Sequence, residues 1–256
     1  MKRIPFLILF AAMSILSSCG RQSPAIVAHR GFWKSDEGGM SQNSIAALRA
    51  AQDNSFWGSE CDIHLTADGE IIVNHDPTID GIAIADTTFE ALASHLLPNG
   101  ERRPTLDEYL AQAGQSKTVL VIEFKSQKSE AAEDELVSKT FARLKEHGLY
   151  DPRKVAFISF SHHVCLKVAA EAPGFMNQYL SGDIAPSELS AEGINGIDYH
   201  YDAILGHPEW VAEAHALGMD VNVWTVDDPE VAARLIELGV DAITTNEPLE
   251  IRKLLE

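Results

Sequence analysis

The sequence predicts a single closed (β/α)8 barrel, also called a TIM barrel, and three observations lead to this fold class. Short apolar, strand-like runs occur eight times, separated for the most part by segments with helical periodicity. Eight such strand and helix units are the number that closes a parallel barrel. The run at residues 119–122 is apolar at every position, which is typical of a strand buried on both faces.

The predicted strands and helices alternate along the chain. We expect the eight strands near residues 26–29, 58–63, 119–124, 155–160, 175–180, 194–199, 219–224 and 240–245. We expect helices near residues 44–53, 105–113, 130–147, 162–171, 208–217, 228–238 and 247–255. Asp228 and Pro229 are typical of a helix start, because Asp caps free backbone N–H groups and Pro fits the first turn. Residues 181–191 are too irregular to predict a full helix.

One long segment, about residues 76–104, interrupts the alternation after the second strand. Its Pro and Gly residues, including Pro77, Gly81 and Pro104, indicate turns. We interpret the segment as a small lid-like insertion beside the functional site, within one barrel domain that covers residues 20–256. A chain of 256 residues is long enough for a single barrel of this kind.

Two carboxylates and an imidazole are arranged around one predicted hairpin. Glu60 and Asp62 are two apart on a strand and therefore project to the same side. Residues 68–69 are typical of a tight turn, and the returning strand brings His75 back toward the two acids. Alternating acids are more often the wet face of a strand. The apolar residues 71–73 instead indicate core, where two acids need a cation or hydrogen bonds.

The N-terminus predicts export and a membrane tether. A basic start and an apolar run from Ile4 to Leu16 match a signal peptide over residues 1–19, too short to span a bilayer as a mature helix. The run ends at Ser17-Ser18-Cys19, which resembles a bacterial lipobox. Lipidation of Cys19 would anchor the protein to a membrane, in the periplasm or at the cell surface. The alternative is a plain secretory signal with an incidental Cys.

The composition excludes one class of partner. The 38 acidic residues outnumber the 20 basic residues and give a formal charge of −18, which argues against nucleic acid because phosphate backbones attract basic surfaces. Cys61 and Cys165 are too few for a disulfide framework and are predicted to be small buried apolar residues. The sequence gives no indication of an oligomeric state.

Five sequence blocks, taken in order, resemble the glycerophosphodiester phosphodiesterase family. The blocks are His29-Arg30-Gly31, then the hairpin with Glu60-x-Asp62, Thr66-x-Asp68-Gly69 and His75-Asp76, then Glu123-x-Lys125, then segments 221–227 and 239–248. The resemblance covers about residues 25–250. It implies an enzyme that hydrolyses small-molecule glycerophosphodiesters to sn-glycerol 3-phosphate and an alcohol.

These residues can supply what hydrolysis of a phosphodiester needs. Glu60, Asp62 and Glu123 are oxygen ligands suited to one hard divalent cation, Ca²⁺ or Mg²⁺, with Mn²⁺ as an alternative. Arg30 and Lys125 can bind the charge of the phosphoryl group. All five residues fall near the carboxyl ends of predicted strands, where barrel enzymes carry their chemistry.

Two imidazoles are candidates for acid and base catalysis, because imidazole titrates near neutral pH. By analogy with related barrel phosphodiesterases, His29 is assigned as the base and His75 as the acid. Attack by the neighbouring glycerol hydroxyl, which gives a cyclic phosphate, and attack by water both remain open. Trp224, at the end of the seventh strand, is either a core residue or a surface that packs against the glycerol carbons.

The chain departs from the family pattern at one position. Members usually carry Pro-Glu-Asn-Thr after His-Arg-Gly, whereas this chain has Ser41-Gln42-Asn43-Ser44. Gln42 cannot carry the charge of the family Glu, so we expect a change in the positioning of Arg30 or in the head-group pocket. Asn43 is predicted to cap the helix that follows.

Three other kinds of function would explain part of this pattern. A lysophospholipase D or a phospholipase C-like phosphodiesterase would use the same groups on lipid substrates and would need an apolar groove. A non-catalytic surface binding lipoprotein would not explain two imidazoles beside an acid cluster. A glycosidase on the same barrel would use paired carboxylates but not the two imidazoles and two basic residues together.

Overall fold

The computed structural model describes residues 23–256, so the predicted signal peptide and Cys19 lie outside the described residues. The strands are β1 (Ala25–Ala28), β2 (Gly58–Leu65), β3 (Ile71–Val73), β4 (Thr78–Ile79), β5 (Ile82–Ala83), β6 (Val119–Phe124), β7 (Val155–Ser159), β8 (Met176–Tyr179), β9 (Gly196–His200), β10 (Asp220–Trp224) and β11 (Ala242–Thr245). The helices are α1 (Ile45–Asp53), α2 (Phe89–Leu92), α3 (Leu106–Ala113), α4 (Glu130–Glu146), α5 (His162–Glu171), α6 (Pro186–Ala191), α7 (Tyr201–Gly206), α8 (Glu209–Ala216), α9 (Pro229–Leu238) and α10 (Pro248–Arg252). Two short 3₁₀ turns cover Ile84–Asp86 and Lys253–Leu255.

Eight parallel strands close into a barrel, which confirms the predicted (β/α)8 fold. Their order around the barrel is β1, β11, β10, β9, β8, β7, β6, β2. The ring closes because β1 pairs in parallel with β11 on one side, with Ala25 opposite Ala242, and with β2 on the other, with Val27 opposite Gly58. Every barrel strand is therefore hydrogen-bonded on both edges, and no open edge is left.

Side chains of opposite parity fill the two sides of the barrel wall. Val27, Val121 and Ile158 belong to one buried apolar cluster, together with Ala156 and Leu180. The larger apolar clusters lie between the strands and the surrounding helices. The polar residues that share the parity of this apolar cluster lie toward the carboxyl ends of the strands.

The hairpin and the insertion follow β2 as predicted. β3 runs back antiparallel to β2, with Ile63 opposite Val73, and Gly69 in the connecting turn has φ of +77°. The positive φ explains the glycine, since other residues rarely adopt it. The insertion after this hairpin contains the small hairpin β4/β5 and the one-turn helix α2.

Two local expectations need correction. Helix α1 is capped by Ser44, whose side chain accepts from the backbone N–H of Ala47, and not by Asn43. The short helices α6 and α7 were not predicted, because each is too short to show helical periodicity. Cys61 and Cys165 are buried free thiols, as expected. No helix among residues 23–256 is long and apolar enough to cross a membrane.

Candidate active site

Most of the predicted functional side chains meet in one cavity of about 230 Å³ at the carboxyl ends of the strands. Strands β1, β2, β6 and β10 and the β3 loop contribute to it. Its lining includes His29, Arg30, Glu60, His75, Glu123, Lys125 and Trp224. Most of these residues lie at or just after the carboxyl ends of barrel strands, as expected from the sequence, and this placement brings them to a common mouth.

Three carboxylates form the floor of the site. Oxygen atoms of Glu60, Asp62 and Glu123 all lie within 4.8 Å of one another, and the three residues are only 2%, 1% and 8% exposed. Glu60 Oε1 is buried without a hydrogen-bond partner among the described residues. Asp62 Oδ1 and Glu123 Oε1 have no well-aligned hydrogen bond there either, although both lie near Lys125 Nζ. Buried carboxylate oxygens of this kind are costly unless a cation binds them, so the donor set fits a hard divalent cation.

Burial and the neighbouring charges shift the pKa values of the three acids in opposite directions. Burial and the negative charge of Asp62 raise the pKa of Glu60. Burial and Asp62 likewise raise the pKa of Glu123 to about 7. Burial acts in the same direction on Asp62, but the positive charge of Lys125 and the neighbouring His75 and Arg30 outweigh it and lower its pKa to about 2. Without a cation, Asp62 thus carries the charge while its neighbours tend to hold protons.

Two basic side chains, those of Lys125 and Arg30, lie next to the three acids. Lys125 Nζ lies 2.7 Å from Glu123 Oε1 and 3.2 Å from Asp62 Oδ1, and Arg30 Nε lies 3.6 Å from Asp62 Oδ2. Arg30 adopts φ of +57°, an unfavourable backbone conformation for a non-glycine residue. This conformation lets its backbone N–H donate to Glu60 Oε2 at 2.8 Å. The backbone just after β1 therefore holds the Glu60 carboxylate by a hydrogen bond.

His29 is held by the side-chain amide of Asn246, a contact that the sequence did not predict. His29 Nδ1 lies 2.9 Å from Asn246 Oδ1, which also accepts from Trp33 Nε1 at 3.0 Å. Asn246 Nδ2 donates to Asp227 Oδ2 at 2.8 Å, which fixes the orientation of the amide. Since Asn246 Oδ1 can only accept, His29 Nδ1 carries the proton and Nε2 is left as the basic nitrogen. Burial, with the adjacent Arg30, lowers the pKa of His29 to about 4, so the ring is neutral at pH 7.

His75 lies half-buried in the wall of the same cavity. Its Nδ1 lies 2.7 Å from Asp76 Oδ1, and its backbone carbonyl accepts from His64 Nε2 at 3.1 Å. Burial lowers the pKa of His75, while the charge of Asp62 opposes that shift. His64 thus supports the backbone of His75 from the buried wall.

Aromatic and apolar residues form the remaining wall. Trp224 Nε1 donates to the backbone carbonyl of Asp198 at 2.8 Å, and its ring packs edge-on against Phe160 with centroids 5.5 Å apart. Asp198 is fully buried below this wall, and neither carboxylate oxygen has a hydrogen-bond partner among the described residues. Burial and the charge of Glu123 raise the pKa of Asp198.

Gln42 and Asn43 belong to the block that differs from the family pattern, and both contact the site directly. Gln42 Oε1 accepts from Arg30 Nη1 at 2.7 Å, so the amide holds the guanidinium without neutralising it. Asn43 has φ of +58°, and its side chain donates to Asp62 Oδ2 at 2.7 Å and accepts from the Asp62 backbone N–H at 3.1 Å. Asn43 therefore positions a cluster acid instead of capping a helix.

Comparisons with known proteins agree with this geometry. A model of the glycerophosphoryl diester phosphodiesterase family matches residues 29–250. A glycerophosphodiester phosphodiesterase of Caldanaerobacter subterraneus subsp. tengcongensis is 30% identical over 241 residues, 87% of this chain and 94% of that protein. The crystal structure of a glycerophosphodiester phosphodiesterase from Parabacteroides distasonis has a TM-score of 0.88 and 38% identity, and covers 92% of this chain and 98% of that one.

A more distant structure shares the fold. An Oleispira antarctica phosphodiesterase, solved in complex with the product sn-glycerol-3-phosphate, has a TM-score of 0.78 and 23% identity over 91% of this chain and 97% of that one. The family match spans most of the barrel, and the Caldanaerobacter relative, at 30% identity over most of both chains, is named for the same activity. The chain therefore belongs to the glycerophosphoryl diester phosphodiesterase family and is a phosphoric diester hydrolase.

Proposed function

We propose that this protein hydrolyses glycerophosphodiesters to sn-glycerol 3-phosphate and an alcohol, with a divalent cation at the acid cluster and with His29 and His75 as base and acid. One observation carries the proposal: a buried acid cluster with orphaned oxygens lies in the same cavity as two imidazoles and two basic side chains. The product complex of the Oleispira antarctica phosphodiesterase supports sn-glycerol 3-phosphate as the retained product.

Each residue has a task that its surroundings favour. A cation held by Glu60, Asp62 and Glu123 would neutralise phosphoryl charge and polarise the phosphoryl oxygens. Arg30 and Lys125 bind the remaining charge and orient the phosphoryl group. His29 Nε2, the unprotonated nitrogen, removes the proton from the attacking hydroxyl.

His75 completes the reaction on the other side of the phosphoryl group. In its protonated form it donates a proton to the departing alkoxide, and the Asp62 charge nearby favours that form. The oxygen donors of the acid cluster suit Ca²⁺ or Mg²⁺, and Mn²⁺ is a third candidate. Accumulation of a cyclic phosphate would identify the neighbouring glycerol hydroxyl as the attacking group. Its absence would indicate attack by water.

The test is a panel of glycerophosphodiesters assayed with and without a chelator, with sn-glycerol 3-phosphate measured as product. Glu60→Gln preserves volume and removes one ligand charge, so calorimetry should show strongly weakened cation binding with the fold intact by circular dichroism. Glu133→Gln is the matched control, because Glu133 is also buried, at 6% exposure, but lies outside the cluster. Full activity after exhaustive chelation and in Glu60→Gln would end the cation proposal.

We also propose export and a tether through lipidated Cys19, on the strength of the lipobox-like Ser17-Ser18-Cys19. Ser23 lies at the amino ends of the barrel strands, where it lines a cavity with Ala25 and Asp220. Residues 20–23 reach at most ~14 Å, whereas a domain of this size has a radius of gyration of ~17 Å. A tether this short would hold the amino ends of the strands close to the bilayer. The active-site cavity, at the carboxyl ends, would then face away from the bilayer, which favours soluble diesters over bilayer lipids as substrates.

Fractionation and mass spectrometry test the tether. Cys19→Ala should move the protein from the membrane fraction to the soluble fraction, with activity unchanged toward soluble substrates. Wild-type protein that is unlipidated at Cys19 would contradict the anchor. Higher kcat/KM on micellar lysolipid than on soluble diesters would favour the lysophospholipase D alternative.

A further inference from the structure

A second cavity of about 360 Å³ adjoins the active site. The two cavities share Arg30 and His75, and the second is formed largely by the insertion and by the loop that carries Gln42. Its lining includes Asp76, Thr78, Asp80 and Arg103. The position of His75 between the cavities makes the second one a continuation of the catalytic site.

The two cavities differ in which of the proposed catalytic groups line them. His29, Glu60 and Glu123 line the first cavity and do not line the second. In displacement at phosphorus, the attacking and leaving oxygens are roughly in line on opposite sides of the phosphoryl group. If the base side is the first cavity, the leaving alcohol extends past His75 into the second.

Residues that line this second cavity carry unused hydrogen-bonding atoms of both kinds. The free donors are Gln42 Nε2, whose Oε1 is bound to Arg30, and Arg103 Nη2, since Arg103 uses only Nε and Nη1 to hold Asn74 and the backbone of the insertion. The free acceptors are Asp76 Oδ2 and Asp80 Oδ1, because each carboxylate uses its other oxygen to contact a histidine. Thr78 Oγ1 has no partner among the described residues and can do both.

We propose that this cavity is the subsite for the leaving alcohol and that it selects polyhydroxylated alcohols, such as glycerol or a cyclitol; the inference rests on the proposed function. A hydroxyl group both donates and accepts, so an alcohol with several hydroxyls pairs with donors and acceptors at once. The positive charges of Arg30 and Arg103 offset the negative charges of Asp76 and Asp80, so the cavity has no excess of negative charge to select a cationic head group. Trp33 alone does not make an aromatic cage.

Two substitutions in the insertion test the subsite without touching the catalytic groups. Thr78→Val keeps the β-branched shape and removes the hydroxyl. Asp80→Gly removes the carboxylate at a residue with φ of +49°, a conformation that glycine adopts without strain. Glu90→Gln is the control, since Glu90 is exposed on the same insertion and does not line the cavity.

The measurement is kcat/KM for four substrates: the glycerol, inositol, ethanolamine and choline diesters of glycerol 3-phosphate. We expect wild type to prefer the two polyol diesters. Loss of one hydrogen bond should lower kcat/KM for the polyol diesters by about five-fold in each variant. The amine diesters should change less than two-fold, and Glu90→Gln should match wild type for all four.

The possible outcomes distinguish a failure of the subsite proposal from a failure of the proposed hydrolase function. Equal or higher kcat/KM for the choline diester in wild type would overturn the polyol subsite and leave the hydrolase function standing. The polyol subsite is overturned in the same way if Thr78→Val and Asp80→Gly reduce all four substrates alike. If no diester is hydrolysed at all, the proposed function fails, and the subsite assignment falls with it.

Discussion

Asn246 Oδ1 lies 2.9 Å from His29 Nδ1, and this contact determines which imidazole nitrogen faces the active site. The amide cannot turn over without losing its bonds to Trp33 and to Asp227. A neutral His29 with its proton on Nδ1 presents a basic Nε2 to the substrate. The proposed base is therefore oriented by Asn246 and Asp227, which follow β11 and β10 and are far from His29 in sequence.

Asn246→Ala should lower kcat by ~10- to 100-fold with a smaller change in KM, because a misoriented base costs rate more than affinity. Nitrogen NMR of His29 should show a mixture of tautomers in the variant and a single Nδ1–H tautomer in wild type. Glu247→Gln is the control at the neighbouring residue. A single unchanged tautomer in Asn246→Ala would show that the amide does not orient the ring.

Cation binding should release protons near neutral pH. Burial and Asp62 raise the pKa of Glu123 to about 7. At pH 6 a bound cation must displace that proton, so apparent affinity should rise as pH increases from 6 to 8. Without a cation, the folded state holds a proton that the unfolded state has lost between pH ~4.5 and ~7, so stability should fall as pH rises through this window.

Calorimetry in buffers with different ionisation enthalpies measures the released protons directly. Thermal unfolding should show a larger cation-induced increase in Tm at pH 8 than at pH 6. In Glu123→Gln the pH dependence of affinity should become shallower. Affinity that does not vary between pH 6 and 8, with no buffer-dependent heat, would contradict a protonated cluster.

Gln42→Glu should change the substrate profile more than the stability. The new carboxylate would pair with Arg30 and would remove the Nε2 donor from the second cavity, so relative kcat/KM values across alcohols should shift by about five-fold. Helix α1 keeps its cap at Ser44, and Tm should move by less than ~2 °C. The exposed Gln115→Glu is the control for added charge. Identical kinetics for all alcohols would show that position 42 is neutral.

The sequence predicted the parts of the site that depend on strand parity. Glu60 and Asp62 project together because residues two apart in a strand share a face, and both face the barrel interior as expected. His75 returns to the same cavity because a glycine turn fixes the hairpin. These features follow from local geometry, which a sequence carries directly.

Contacts between distant segments were not predicted. Asn43 looked like a helix cap, because the local signal of an Asn before a helix is strong, yet its amide binds Asp62. The pairing of Asn246 with Asp227 requires the register of β10 against β11, which no local pattern specifies. The orphaned Asp198 lies on β9, outside the sequence blocks that resemble the family, so sequence reasoning did not select it.

The proposed roles of His29 and His75 can be distinguished by comparing substrates with different leaving groups. His75→Ala should be severe with a glycerophosphodiester, whose alcohol leaves poorly, and mild with a nitrophenyl phosphodiester, whose phenolate needs no proton. General acid catalysis contributes roughly 10²- to 10⁴-fold, so the losses for the two substrates should differ by about that factor. The measurement is kcat for both substrates at saturating cation.

His29→Ala should impair both substrates, because the attacking hydroxyl must lose its proton whichever group departs. The two variants thus give opposite patterns, and each is the control for the other. Equal losses for both substrates in His75→Ala would refute the acid assignment. Recovery of His29→Ala with the nitrophenyl substrate alone would mean that the two roles are reversed, since only a missing acid is compensated by a better leaving group.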